Sequence, residues 1–315
     1  MTDPRAVGSP EVLDALRAAC AAVRGAADRD LLELARLRLA VLLGVESERS
    51  APPWGDVDEA KVAMLADWPE AEVFDDRDRA ALALTEQFAI DVTAVAAGPL
   101  GPAVSELGAG VVPFVQGLYL LDVGQRVGVV LGRLFGTTLT SADWAWPTTA
   151  IEVDPDPMGA IMAMLAAVGR LREVDPVTKE LVRLRGARLH RCRRCQSVRN
   201  VAAIEAGATT ELLDADDPTT VATLAPGTRA AIDLVDAVFV GRPGLDDELF
   251  GRLTQSYDEI ELVELVDYLL RNATNKIPVA FAADDAIVDS GFEYQVIDAD
   301  GETLTVDESS ISPLR

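Results

Sequence analysis

The sequence predicts an all-α protein of two similar helical halves, closed by a short C-terminal β-hairpin. Three observations carry that expectation. Ala, Leu, Arg and Glu, all good helix formers, dominate the chain. Apolar residues recur three and four apart, as Ile260, Val263, Val266 and Leu270 do in "DEIELVELVDYLL". The third is internal repetition: "ELARLRLA" (33–40) and "ELVRLRGA" (180–187) share six of eight residues at an offset of 147.

Taken in order, the first half spans residues 1–140. "DRAALALTEQF" (78–88) parallels "TRAAIDLVDAV" (228–238) at an offset of 150, with Arg79 opposite Arg229. A weaker echo sets Gln125-Arg126-Val127 against Asn275-Lys276-Ile277 at the same offset. The most apolar stretch, "GAGVVPFVQGLYLLDVGQRVGVVLGRLF", carries Asp122, Gln125 and Arg126, so it is expected to be a buried helix and not a membrane span. Residues 141–157, rich in Pro and Asp, form the expected linker. The second half spans 158–290, where "PGTRAAIDLVDAVF" begins a helix after a Pro-Gly break. In the final segment, 291–315, Phe292, Tyr294 and Val296 alternate before a D-A-D-G turn, and Leu304 and Val306 alternate after it, which is the pattern of a hairpin.

Composition bounds the function. With 315 residues and 49% hydrophobic content the chain can bury a sizeable core. Its formal net charge of -24 repels phosphate backbones and anionic lipid, which argues against nucleic-acid and membrane partners. The N-terminus lacks a basic start followed by an apolar core, so no secretory signal is read there. Three cysteines are too few for a disulfide-stapled secreted scaffold, and a reducing cytoplasm is the expected compartment.

Two of those cysteines stand in "RLHRCRRCQSVRN" (188–200), a basic patch in an acidic protein. The segment "CRRCQSVRNVAAIEAG" (192–207) reads as one helix ended by glycine, with Cys192 in or near its first turn. The helix dipole and Arg191, Arg193, Arg194 and Arg199 would raise the thiolate fraction there. No carboxylate lies between Leu181 and Ile204. Cys195 and Arg199, four apart, would share a helix face, and Glu180 on the preceding helix could be turned towards it.

Glu180, the Cys192-x-x-Cys195 pair and a position four further on resemble the signature of the AhpD-like, carboxymuconolactone decarboxylase superfamily. The segments "KELVRLRGARL", "VAAIEAGAT" and "ELVELVDYLLRNATNKIPVAF" are similar to that family as well, so the resemblance covers most of residues 157–285 and extends weakly to the first half. It implies an all-helical fold, usually a homo-oligomer, and a thiol-dependent peroxidase or disulfide reductase; with the internal repeat, the halves would be duplicated AhpD-like helical domains. By position, Cys195 would be the peroxidatic cysteine, Cys192 the resolving one and Glu180 the proton-relay carboxylate. The substrate would be a small hydroperoxide or disulfide, the electron donor a protein or dithiol reductant, and no metal or other cofactor would be required. Arg199 departs from the pattern, since the family normally has histidine there and arginine stays protonated. In residues 1–140, Val45, Glu48 and Pro52 stand opposite Cys192, Cys195 and Arg199, and only Glu33 persists opposite Glu180. That half would be a degenerate repeat and a scaffold.

Competing readings stand beside this one. A catalytically degenerate member serving as a ligand-binding or interaction scaffold is the main alternative, and cofactor-free lactone decarboxylation or isomerisation is a third. Arg183 and Arg185 recur as Arg36 and Arg38 in the half without cysteines, which points to structural ion pairs. Arg188, Arg191, Arg193 and Arg194 are either an electropositive entrance or ordinary surface pairs. Cys20 falls on an apolar helix and is expected to be buried and inert. His190, the lone histidine, could join both cysteines at a metal but supplies only three ligands with cramped spacing, so a surface side chain is expected.

Overall fold

The structure is a computed structural model that describes residues 9–141, 156–214 and 218–306. The expected linker falls almost entirely outside the described residues. The chain is mostly helical. In order the helices are α1 (Pro10–Ala26), α2 (Arg29–Leu43), α3 (Glu46–Arg49), α4 (Glu59–Met64), α5 (Asp76–Ile90), α6 (Leu100–Leu107) and α7 (Val111–Phe135). They continue with α8 (Pro157–Gly169), α9 (Pro176–Leu189), α10 (Arg193–Gln196), α11 (Val201–Glu205), α12 (Thr210–Asp214), α13 (Pro218–Ala222) and α14 (Pro226–Phe239). The last are α15 (Asp247–Ser256), α16 (Glu259–Asn272) and α17 (Lys276–Ala280).

Local chemistry sets the ends of the main helices. Asp28 caps α2 by accepting from the N–H groups of Asp30 and Leu31, and Asp175, 147 residues on, caps α9 by accepting from Thr178 N–H. Gly44 and Gly136 close α2 and α7 in the left-handed conformation that glycine adopts without penalty. The helical stretch Leu100–Phe135, which holds α6 and α7, is long and apolar enough to cross a membrane, yet most of its apolar window is buried inside the protein, and α7 carries buried Asp122, Gln125 and Arg126.

α1 lies along α8, and α7 lies against α16 and α17. α2 packs on α5, while α9 packs on α14. One hydrophobic cluster runs from Val12 to Ala280 and joins both stretches of the chain, with Cys20 fully enclosed in it. Contacts recur at the sequence offsets. Arg36 bonds Glu33 through two N–H groups, and Arg183 bonds Glu180 the same way. Arg38 reaches Glu86 at 2.6 Å from α2 to α5, and Arg185 reaches Asp236 at 2.7 Å from α9 to α14. All four arginines thus form ion pairs.

The C-terminal hairpin is present as β2 (Glu293–Ile297) and β3 (Thr303–Val306), paired antiparallel with Val296 opposite Leu304. It does not stand alone, however. β1 (Val198–Asn200) pairs in parallel with β2, placing Arg199 opposite Tyr294, so the fold carries a three-stranded mixed sheet in the order β1-β2-β3. The all-α expectation is corrected to that extent. Gly301 in the hairpin turn, at φ 82°, lies so close to Ala166 of α8 that a Cβ there would collide with its backbone carbonyl.

Candidate functional site

Cys192 and Cys195 are joined by a disulfide with their Cα atoms 5.4 Å apart. Cys192 is the N-cap of α10; its backbone N–H bonds the carbonyl of Ala187, and its sulfur accepts from Cys195 N–H at 3.2 Å. Cys192 is fully buried, whereas Cys195 is only partly covered. Cys20 remains a free thiol in the core, and burial pushes it well above the usual thiol range.

The single helix expected over 192–207 is three elements instead. α10 stops after one turn because Ser197 folds back, its Oγ donating to the carbonyl of Arg194 at 2.9 Å. The chain then extends through β1, where the backbone groups that a helix would have paired internally are used by β2. Asn200 starts α11 by accepting from Ala202 N–H. Gly207 ends this stretch at φ 98°, as the glycine stop predicted.

That break overturns the placement of Arg199 on a helix face shared with Cys195. Arg199 lies on β1, where its guanidinium stacks 3.7 Å from the Phe292 ring, donates to the carbonyls of Gln196 and Val198, and pairs with Asp214. Glu180 does not meet it. Both Glu180 oxygens accept from Arg183 at 2.7 Å, and Oε1 also accepts from Asn200 N–H at 3.0 Å. Arg183 in turn donates to the carbonyls of Cys195 and Val198 at 2.7 Å. Glu180 therefore supports the backbone around Cys195 through Arg183, and its oxygens are already engaged.

The basic patch also differs from its appearance in the chain. Asp284, from the segment after α17, accepts from Arg193 N–H at 2.9 Å and from its guanidinium at 3.1 Å, and Asp285 adds a second ion pair. Burial alone would raise the Asp284 carboxyl, but the hydrogen bonds from Arg193 outweigh it and hold the group below its ordinary range. The carbonyl of Asp284 accepts from Arg194 N–H, and Ser197 Oγ accepts from Ile287 N–H. Residues 284–287 are thus clamped onto the cysteine turn. Sequence reasoning missed this, since nothing local links residue 284 to residue 193. Arg188 reaches the carbonyl of Leu213, while Arg191 stands at a separate cavity.

His190 is not a surface side chain. It is buried, with Nδ1 2.7 Å from Asn275 Oδ1 and its ring edge-on to Phe239 at 5.0 Å. Burial, helped by the nearby Lys276 charge, pushes its pKa down to about 3, so the ring is neutral. Similar contacts occur at the turn after α2. Arg36 donates to the carbonyl of Glu48, as Arg183 does to Cys195, and Trp54 N–H donates to Glu33 Oε2 at 3.2 Å. Among the described residues, no group of three or more His, Cys, Asp or Glu comes together as a metal-binding set.

No family model matches the chain, and no solved structure matches it. Two curated relatives from two strains of Mycobacterium tuberculosis do, Uncharacterized protein MT2376 and Uncharacterized protein Rv2313c. Each is 33% identical over 221 residues, covering 70% of this chain and 78% of the relative. A buried Glu-Arg pair supporting a cysteine turn, on a mostly helical frame with a small mixed sheet, is therefore the description of a chain that belongs to the family of these mycobacterial proteins.

Proposed function

We propose that this chain is a thiol-disulfide oxidoreductase working through Cys192 and Cys195 on a duplicated, AhpD-like helical scaffold. The observation that carries the reading is the C-x-x-C turn itself, with two sulfurs within bonding reach, one buried and one partly exposed. The exposed Cys195 suits the attacking role and the enclosed Cys192 the resolving role. The duplication is supported by the paired contacts: Glu33-Arg36 with Glu180-Arg183, Arg38-Glu86 with Arg185-Asp236, and equivalent helices α1 and α8 lying side by side.

With a hydroperoxide as oxidant, the Cys195 thiolate takes the terminal oxygen. The O–O bond breaks, the alkoxide leaves and picks up a proton, and Cys195 becomes a sulfenic acid. The Cys192 thiol then displaces that hydroxyl as water, forming the disulfide. A dithiol donor returns two electrons and two protons to restore both thiols. Neither Glu180, engaged by Arg183, nor Arg199, engaged by Asp214 and Phe292, is placed to supply the proton to the alkoxide. Disulfide formation and exchange are therefore fast relative to peroxide turnover, which lacks general-acid help usually worth about 10²-fold or more. Those same commitments favour the second reading, a degenerate member acting as a ligand-binding or interaction scaffold.

Thiol titration of the reduced protein before and after one equivalent of hydroperoxide separates the two. Loss of two thiols, with non-reducing peptide mapping placing the link between Cys192 and Cys195, is the expected result. Retention of all three thiols, or an unchanged rate of peroxide consumption in Cys195→Ser, rejects the oxidoreductase.

A further inference from the structure

A cavity of about 300 Å³ lies where α5, α7, α14 and α17 converge, beyond the end of α9. Its walls include positions matched at the offset of 150: Ala89 with Phe239, Ile90 with Val240 and Arg126 with Lys276. In a chain of charge -24 this cavity is cationic. Arg126 and Lys276 are both buried and share one carboxylate, Asp122, at 2.7 and 2.5 Å. Burial would raise the Asp122 carboxyl, but these two cations outweigh it and keep it ionised. Arg191 adds a third positive charge at the rim, and Asp91 a second negative one. Three cations against two carboxylates leave a net charge of +1.

The donors and acceptors are unequally used. Arg126 spends its guanidinium on Asp122 and on the carbonyls of Val238, Gly241 and Ala89, which holds the two stretches together. The Lys276 ammonium has three N–H groups and one hydrogen-bond partner, Asp122, and it lies over the Phe88 ring, 4.5 Å from the centroid. Arg191, whose charge helps hold the Asp91 carboxyl below its ordinary range, sits at φ 51°, a left-handed conformation costly for a side-chain-bearing residue. On the facing wall His190 gives Nδ1 to Asn275 Oδ1, so Nε2 carries the lone pair, and Nε2 has no partner among the described residues.

We infer that this cavity is a binding site for a small organic monocarboxylate bearing a hydroxyl group. One negative charge neutralises the cluster, and the planar Arg191 fork suits a carboxylate. Lys276 donates to the same group, while the hydroxyl donates to His190 Nε2. The apolar body rests against Leu189 and Phe239. Neither cysteine lines the cavity, although His190 and Arg191 directly precede Cys192.

Calorimetric titration of the full-length protein with 4-hydroxybenzoate and with lactate tests this, with benzoate and inorganic phosphate as comparisons. At least one hydroxycarboxylate is expected to bind saturably at a single site. Arg191→Ala should weaken it roughly tenfold, with partial recovery in Arg191→Lys, as expected for a charge-assisted contact at an exposed position that folding does not need. Benzoate should bind several-fold more weakly than 4-hydroxybenzoate, having no hydroxyl for His190, and phosphate should not saturate. Binding should persist in Cys195→Ser. Absence of saturable binding by both hydroxycarboxylates, an affinity unchanged in Arg191→Ala, or phosphate binding as tightly as either acid overturns the assignment.

Discussion

The turn after α2 and the turn after α9 are built on the same buried pair and then diverge. In the first, Arg36 links Glu33 to the backbone of residue 48, and the Glu48 side chain itself closes on Arg36 and on Ser141. In the second, Arg183 links Glu180 to the backbone of Cys195, and the side chain at that position is half of a disulfide. The comparison separates scaffold from chemistry. A Glu-Arg pair that persists where no cysteine exists holds the turn in place, and the thiols are what the second turn adds.

The sharpest way to break this comparison is to cut both pairs. Arg183→Met leaves a buried Glu180 without its counter-charge, an uncompensated charge that costs about 3–5 kcal/mol, and Arg36→Met should cost a comparable amount. Urea denaturation of both variants measures it. If Arg183→Met kept its stability while thiol exchange collapsed, Glu180 and Arg183 would be part of the chemistry and the symmetry of roles would fail.

A second contrast lies at residues 117 and 267, matched at the offset of 150. In the first stretch Gly117 lets Leu32 and Val23 approach so closely that a Cβ would meet Leu32 at 2.5 Å. In the second, Asp267 lies buried beside Glu264 with no hydrogen-bond partner among the described residues, and burial, reinforced by the Glu264 charge, raises its pKa to about 7. A carboxyl that is harder to ionise in the folded state favours folding fully at low pH. That advantage is lost as pH rises from the unfolded value near 4 through the folded value near 7. Asp267→Asn should therefore gain stability relative to the parent above pH 7, on the order of 2–4 kcal/mol, and gain least near pH 4. Denaturation midpoints from pH 4 to 8 test the sign, and a difference that does not grow with pH contradicts it.

The smallest effect is expected at Arg199. Because it faces Asp214 and Phe292, Arg199→His should lose about 1–2 kcal/mol of packing and pairing and bring no gain in peroxide turnover. A gain of tenfold or more would mean that position 199 reaches Cys195 after all.

The helices around the site were legible because their signals are local. Asp175 and the Pro after it announce α9, and the three-and-four spacing over 259–272 announces α16. The proximity of the two cysteines followed from their spacing. Misreading began at Val198, where helix-compatible residues were taken up by a strand whose partner lies 95 residues later. His190 was missed for a related reason. A histidine among arginines looks exposed until Phe239 and Asn275 are folded over it.

What the sequence determined by itself was the helical frame, the α7 core helix, the hairpin, the paired arginines and the inert Cys20. Each depends on periodicity, capping or turn residues within a few positions. Tertiary structure alone decided that Glu180 answers Arg183, that Arg199 answers Asp214, that Asp284 and Asp285 neutralise Arg193, and that Arg126, Lys276 and His190 surround one cavity. Those pairings depend on which charges are brought together when water is removed. With 52 carboxylates and 28 Lys and Arg residues in the chain, many pairings are chemically equivalent, and only the packing of the core selects among them.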